Sequence, residues 1–171
     1  MFDKSANEAG PVSFGERLAN SDIFSALFRE GMALVEETAT YLDGPGRAES
    51  KKLERSAALA YATESMRLTT RLMQLASWLL LHRAVKEGEM SLAQANKEKA
   101  KVKLSASDHN DEQNLKLLPE RLGGLIRRSK TLQGAVRRLD ATIHATIPTR
   151  IDRGNPVERQ LGLLKAAFER E

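Results

Sequence analysis

The residues of this 171-residue chain that could perform chemistry are few, and they lie far apart in the sequence. The three histidines are His82, His109 and His144, and no H-E-x-x-H metalloprotease motif is present. We interpret His82 as a residue at the edge of a core or interface, and His109 as part of a polar loop. His144 is placed to be stabilised by the dipole at a helix C-terminus. The histidines therefore predict no catalytic site.

The other common kinds of catalytic and cofactor site are also unsupported. The chain has no cysteine, which excludes disulfides, thiol nucleophiles and thiolate metal sites. The turn Gly44-Pro45-Gly46 lacks the glycine and lysine spacing of a phosphate-binding loop. The acidic residues are scattered, and Asp43 has no evident carboxylate partner for acid–base work. We predict that the protein is not an enzyme and that it uses no cofactor and no metal.

The composition describes a soluble, mildly basic and mainly helical protein. Lysine and arginine number 27 against 23 acidic residues, which gives a net charge of +4. Residues 1–10 are polar and lack the apolar stretch of a signal peptide. The most apolar run, Leu72–Val85, falls short of the roughly 20 residues that a membrane span requires. We expect a cytoplasmic protein with no membrane span.

Helical periodicity, caps and breakers predict the elements. The first helix begins after the cap Ser21 and ends at Gly44. The spacing then predicts a long helix over Ala48–Lys86 and a short helix over Leu92–Lys103. A solvated polar loop is predicted over Ser105–Asn114, followed by a last helix with a heptad-like seam over Pro119–Ala145. The predicted fold is all-α: an elongated antiparallel three-helix bundle with a long central helix, a short extra helix and a mobile C-terminal tail. We expect a flexible segment over 1–20, the bundle over 21–147 and the tail over 148–171.

The predicted central helix is longer than its neighbours. About 39 residues span roughly 58 Å at 1.5 Å per residue, whereas a compact globule of this length is about 40 Å across. Its apolar residues point in too many directions for one neighbouring helix, which predicts a homodimer. The expected interface residues are Leu72, Leu75, Trp78 and Leu79. The alternative is a thick core within one chain.

Two further segments are candidates for binding. The last helix carries a basic cluster with Arg127, Arg128, Arg137 and Arg138. This cluster is either the solvated outside of the bundle or a site for an acidic protein; nucleic acid is disfavoured, because the arginines occupy several helix faces. The tail carries Val157, Leu161, Leu164 and Phe168, an anchor pattern typical of an amphipathic helix in a groove. This segment either docks on the bundle or binds a partner or an unfoldase.

The segment Thr63–Met90, which contains the string TTRLMQLASWLLL, resembles the regulator of CtrA degradation (RcdA) family of alphaproteobacteria. Ser13–Leu27 and the helix over Leu117–Ile143 resemble that family as well. The likeness covers roughly residues 13–145. The string is not a catalytic motif, so it indicates kinship and identifies no site.

The resemblance implies a proteolytic adaptor that helps deliver the cell-cycle regulator CtrA and other substrates to the ClpXP protease. It implies partnership with ClpX and ClpP, with the response regulator CpdR and with the cyclic-di-GMP effector PopA. It also implies a dimeric three-helix bundle and recruitment to a cell pole. The alternatives from other classes are a nucleic-acid-binding module that uses the last helix and a polar structural scaffold.

Overall fold

The computed structural model describes Arg17, residues 21–101 and residues 112–145. Within residues 21–101 and 112–145 it has six α-helices: α1 (Asp22–Asp43), α2 (Pro45–Ser50), α3 (Arg55–Lys86), α4 (Leu92–Lys101), α5 (Glu112–Leu117) and α6 (Glu120–Ala145). No strand occurs in these ranges, and the predicted all-α bundle is confirmed. The expected N-terminal segment over residues 1–20, apart from Arg17, and the expected tail lie outside the described residues.

Local signals fix the ends of α1 as the sequence predicts. The Ser21 hydroxyl accepts a hydrogen bond of 3.3 Å from the backbone N–H of Phe24, which satisfies one of the unpaired donors of the first turn. At the other end, the N–H of Gly44 donates to the carbonyl oxygens of Thr40 and Tyr41. These two caps make α1 a helix of 22 residues.

The central helix is shorter than predicted, because the expected helix from Ala48 divides into α2 and α3 around residues 51–54. The short α2 turns back onto the end of α1. The hydroxyl of Tyr41 donates a 2.7 Å hydrogen bond to Glu49, and a side chain at Gly46 would collide with Tyr41 and Tyr61. Helix α3 therefore has 32 residues, or roughly 48 Å, and ends beside Gly88 with its positive φ of 75°.

The three long helices run in mixed directions, so the predicted antiparallel arrangement holds for α1 against α3 and α6 but not between α3 and α6. Helix α1 is antiparallel to α3, since Ser25 near its start meets Lys86 at the end of α3. It is also antiparallel to α6, where Glu37 pairs with Arg128. Helices α3 and α6 run in the same direction, as the contacts Arg71–Ser129 and Trp78–Asp140 show. Parallel neighbours need a long return connection, and this connection contains α4 and α5.

The predicted seam of α6 forms the centre of the bundle. Of its eight predicted members, seven are buried: Leu122, Leu125, Ser129, Leu132, Val136, Leu139 and Ile143. The eighth, Leu118, is half-buried and precedes α6. Ser129 is the polar exception, and its hydroxyl accepts a 2.9 Å hydrogen bond from the buried guanidinium of Arg71. The predicted polar loop is wrong for residues 112–114, which begin α5. Residues 102–111 lie outside the described ranges.

Candidate interaction surfaces

The four residues expected at a dimer interface lie in the core of the single chain. Leu72, Leu75, Trp78 and Leu79 are each at most 3% exposed. They pack in one cluster with apolar side chains of α1 and α6. The expectation that these side chains meet a second copy is therefore wrong, because α1 and α6 already cover them. Their position matches the alternative given above, a thick core within one chain.

The opposite side of α3 carries a regular row of exposed apolar residues. Leu59, Met66, Met73 and Leu80 are 71%, 71%, 66% and 52% exposed, and successive members are seven residues apart. A spacing of seven keeps side chains on one helix face. We call these four residues the outer row. This row was not predicted, because the expected interface residues Leu72, Leu75, Trp78 and Leu79 lie on the other face of α3. The constant spacing of seven is the sequence signal that marks it.

Small side chains lie between the members of the outer row. Ala62, Thr69 and Thr70 are exposed, and Ser77 is half-buried. Small residues allow another helix to approach closely, while the four large apolar side chains supply the contact area. An exposed apolar stripe roughly 32 Å long on a monomer is typical of a site for protein contact.

The arginine cluster of α6 is exposed but does not form one uniform face. Arg127, Arg128, Arg137 and Arg138 all lie on the surface. Arg128 forms a 2.6 Å ion pair with Glu37 of α1. The nearby Arg121 lies over the ring of Tyr41, 5.3 Å from its centroid. Some of this basic charge is therefore used within the bundle.

The main polar site is centred on Asp140, which the sequence analysis did not single out. Its carboxylate accepts two hydrogen bonds of 2.8 and 2.7 Å from Lys99 and one of 2.8 Å from the indole N–H of Trp78. Burial, the largest influence, raises the pKa of Asp140. The hydrogen bonds from Lys99 and Trp78 and the charge of Lys99 outweigh it, so this pKa lies below its ordinary value. Asp140 is thus an ionised group that joins α3, α4 and α6.

His144 extends this site toward α4. Its Nδ1 lies 2.7 Å from the carbonyl oxygen of Asp140, which can only accept, so we assign the proton of the neutral ring to Nδ1. Its Nε2 then accepts from Lys99 at 3.3 Å. The side-chain oxygen of Asn96 lies 3.0 Å from Nε2, and because both atoms are acceptors, this pair forms a hydrogen bond only with the Asn96 amide turned to present its NH2 group. The spacing of four between Asp140 and His144 was the available sequence signal. These contacts attach α4, whose only fully buried residue is Ala95, to α6.

His82 lies beneath the same site and is fully buried. Its ring stacks on Trp78 with centroids 3.9 Å apart, and its Nδ1 lies 3.0 Å from the carbonyl oxygen of Trp78. Its Nε2 has no hydrogen-bond partner within the described part of the chain. Burial, the largest influence, lowers the pKa of His82. The sequence predicted a residue at the edge of a core or interface, whereas the structure buries His82 completely.

The Asp140 site stabilises the fold. Lys99 and the indole of Trp78 bond to the Asp140 carboxylate, and His144 contacts Lys99 and the backbone of Asp140. The described ranges contain no cluster of three or more His, Cys, Asp or Glu residues that could bind a metal. None of the described helices is long and apolar enough to cross a membrane. The predicted tail anchors Val157, Leu161, Leu164 and Phe168 lie outside the described residues.

The fold and surfaces define the chain as an all-α bundle with an exposed apolar row on its central helix. Residues 15–168 match the family described as "Protein of unknown function (DUF1465)". Among solved structures, RcdA from Caulobacter crescentus CB15 is 52% identical, with a TM-score of 0.60, over 75% of this chain and 96% of that one. No curated protein matches the sequence. The chain therefore belongs to the DUF1465 family, and its 52% identity to RcdA confirms the resemblance found in the sequence.

Proposed function

We propose that this protein is a proteolytic adaptor, which helps deliver the cell-cycle regulator CtrA and other substrates to the ClpXP protease. The observation that carries the proposal is the 52% identity to RcdA over nearly the whole of that chain. The proposed partners are ClpX and ClpP, CpdR, PopA and CtrA, and the proposed location is the cytoplasm with recruitment to a cell pole. The exposed surfaces support a role in binding other proteins.

An adaptor acts through contacts and tethers and performs no chemistry on its cargo. By binding a substrate and the protease together, it raises the effective concentration of the substrate at the protease by orders of magnitude. The outer row offers such a contact surface, since four large apolar side chains are exposed to water on one face. The pairing of Arg128 with Glu37 argues against a nucleic-acid surface on α6, because that charge is already balanced.

Reconstituted degradation tests the adaptor proposal. CtrA, ClpXP, CpdR, PopA and cyclic-di-GMP are combined with and without this protein, and CtrA loss is followed over time. We expect faster loss with the protein present, and a smaller effect for the double variant Met66→Glu/Met73→Glu. Ile23→Glu is the matched control, since Ile23 is 60% exposed and lies outside the outer row. Equal CtrA loss with and without the protein would refute the adaptor function.

We further propose that the outer row forms the homodimer contact, in place of the buried residues predicted from sequence. Its pattern is self-complementary: when two copies of α3 lie antiparallel with their centres at Thr69 and Thr70, leucine meets leucine and methionine meets methionine. Leu59 of one copy then lies opposite Leu80 of the other, and Met66 lies opposite Met73. A closed dimer with two-fold symmetry requires such self-complementarity.

Single cysteines test this register directly, because the natural chain has none. A mixture of the Leu59→Cys and Leu80→Cys variants should form a disulfide-linked dimer between the two different chains on mild oxidation. Each variant alone should form far less disulfide-linked dimer, since in the antiparallel pair of α3 helices the two copies of residue 59, or of residue 80, lie at opposite ends. Sedimentation should show a dimer for the natural chain and a monomer for Met66→Glu/Met73→Glu. Equal cross-linking within and between the two variants would contradict the antiparallel register.

A further inference from the structure

A groove between α1 and α3 lies at the end of the bundle where α6 also ends. Phe24 forms its buried floor, the half-buried Phe28 lies beside it, and its volume is about 310 Å³. Lys86 donates a 2.9 Å hydrogen bond to Ser25 across the groove. The groove is therefore aromatic at its base and open to solvent at its rim.

The rim of the groove is basic. Arg29, Arg83 and Lys86 line it, with Glu87 as the only acidic lining residue. Arg83 is paired with Glu87 at 2.8 Å and lies over the ring of Phe28. Arg29 has no ion-pair partner within the described ranges. An occupant with an apolar face bordered by carboxylates would complement both the floor and the rim.

The segment 157–168 of this chain has that chemistry. Its anchors Val157, Leu161, Leu164 and Phe168 fall on one side of a helix. At 100° per residue, Glu158 and Glu169 lie along one border of that apolar side, with Lys165 between them and the anchors, and Glu171 lies along the other border. Arg159 and Arg170 fall on the opposite side. The charge order therefore places carboxylates at the rim of the groove and directs the arginines outward.

The position where α6 ends allows this segment to reach the groove. Helices α3 and α6 are parallel, so Ala145 lies at the same end of the bundle as Lys86. Residues 146–156 can span roughly 36 Å when extended. A helix with its side chains is about 10–12 Å across, so this length suffices to pass around one helix of the bundle. The family match also extends to residue 168.

We propose that the segment 157–168 docks as an amphipathic helix in the groove between α1 and α3 of its own chain. Its apolar anchors contact the phenylalanine floor, and its glutamates pair with Arg29 and Lys86. This proposal is independent of the adaptor function, since docking can be measured with the protein alone.

Distance measurements between two spin labels test the proposal on the full chain. One label is placed at Ala33→Cys, an exposed position four residues after Arg29, and the other at Ala166→Cys on the polar side of the segment. Labelled protein is diluted with an excess of unlabelled protein, so that only distances within one chain are measured. We expect a single narrow distance distribution. A broad distribution, or a narrow one that disappears on dilution, overturns docking within the chain.

Charge reversal and rescue identify the contact. Arg29→Glu/Lys86→Glu should broaden the distribution, and adding Glu158→Lys/Glu169→Lys should narrow it again. Arg127→Glu/Arg138→Glu on α6 is the matched control and should leave it narrow. Phe168→Ala should also broaden it, and the circular dichroism of this variant checks that the bundle stays folded. A narrow distribution in every variant places the segment elsewhere and refutes the proposed groove.

Discussion

The Asp140 site should contribute measurably to stability. Asp140→Ala removes a carboxylate that accepts three hydrogen bonds, two from Lys99 and one from Trp78. It leaves the indole N–H of Trp78, a residue only 1% exposed, without a partner. An unsatisfied buried donor costs about 1–3 kcal/mol, and hydrogen bonds to a charged group contribute about 1.5–3 kcal/mol. The side chains of Lys99 and Asp140 are about one-fifth exposed, so water screens their ion pair only in part. We therefore expect Asp140→Ala to lower the free energy of unfolding by about 2–4 kcal/mol.

Asp140→Asn separates the two contributions. The amide oxygen can still accept from Trp78, whereas the ion pair with Lys99 is lost, so the expected loss is about 1–2 kcal/mol. Lys99→Met should destabilise the protein by a similar amount, because it leaves a half-buried carboxylate without its cation. Lys101→Met is the matched control on α4, since Lys101 pairs with Glu98 on an exposed surface and should contribute less than about 1 kcal/mol.

The assay is urea unfolding followed by the fluorescence of Trp78, the single tryptophan of the chain. All variants are measured at one protein concentration, since self-association adds to apparent stability. The pKa of Asp140 is lowered in the folded state, so its contribution is present above the ordinary carboxyl pKa of about 4. It is lost as the pH falls through the folded-state value, and Asp140→Asn should lack this loss. Equal stability of Asp140→Ala and Asp140→Asn would refute the role given to the indole hydrogen bond.

Three further outcomes are expected from buried positions. Gly31→Ala should destabilise the protein by about 1–3 kcal/mol in thermal melting, because its new methyl group would collide with Leu79; an unchanged melting temperature would contradict this close approach. Ser129→Ala should cost about 1–3 kcal/mol in urea unfolding, since it removes a partner of the buried Arg71; no loss would show that this hydrogen bond contributes nothing. The pKa of His82 is lowered by burial, so the unfolded chain binds its proton more readily and stability should decrease as the pH falls below about 6.5. His82→Met should reduce this dependence in melting curves from pH 5 to 7, and an unaltered slope would assign it to another group.

Local sequence determined most of the helix boundaries. The Ser21 cap, the end at Gly44 and the end near Gly88 were predicted correctly, because capping depends on a few neighbouring residues. The seam of α6 was also predicted, since a heptad spacing aligns side chains on one face whatever their partner is. The division between α2 and α3 was not predicted. It depends on contacts of Gly46 and Glu49 with tyrosines of α1 and α3, and no helix-breaking residue marks it.

Tertiary structure alone decided which side of α3 is buried. That helix has large apolar residues on two sides, and periodicity cannot say which side meets α1 and α6. The structure buries Leu72 and Leu79 and leaves Met66 and Met73 exposed, which moves the candidate contact surface to the other side of the helix. The Asp140 site was equally hidden, because Lys99 lies 41 residues before Asp140 and only the packing of α4 on α6 joins them. Caps and periodicity are local, whereas the choice of a buried face and the pairing of distant charges depend on neighbours that the folded chain supplies.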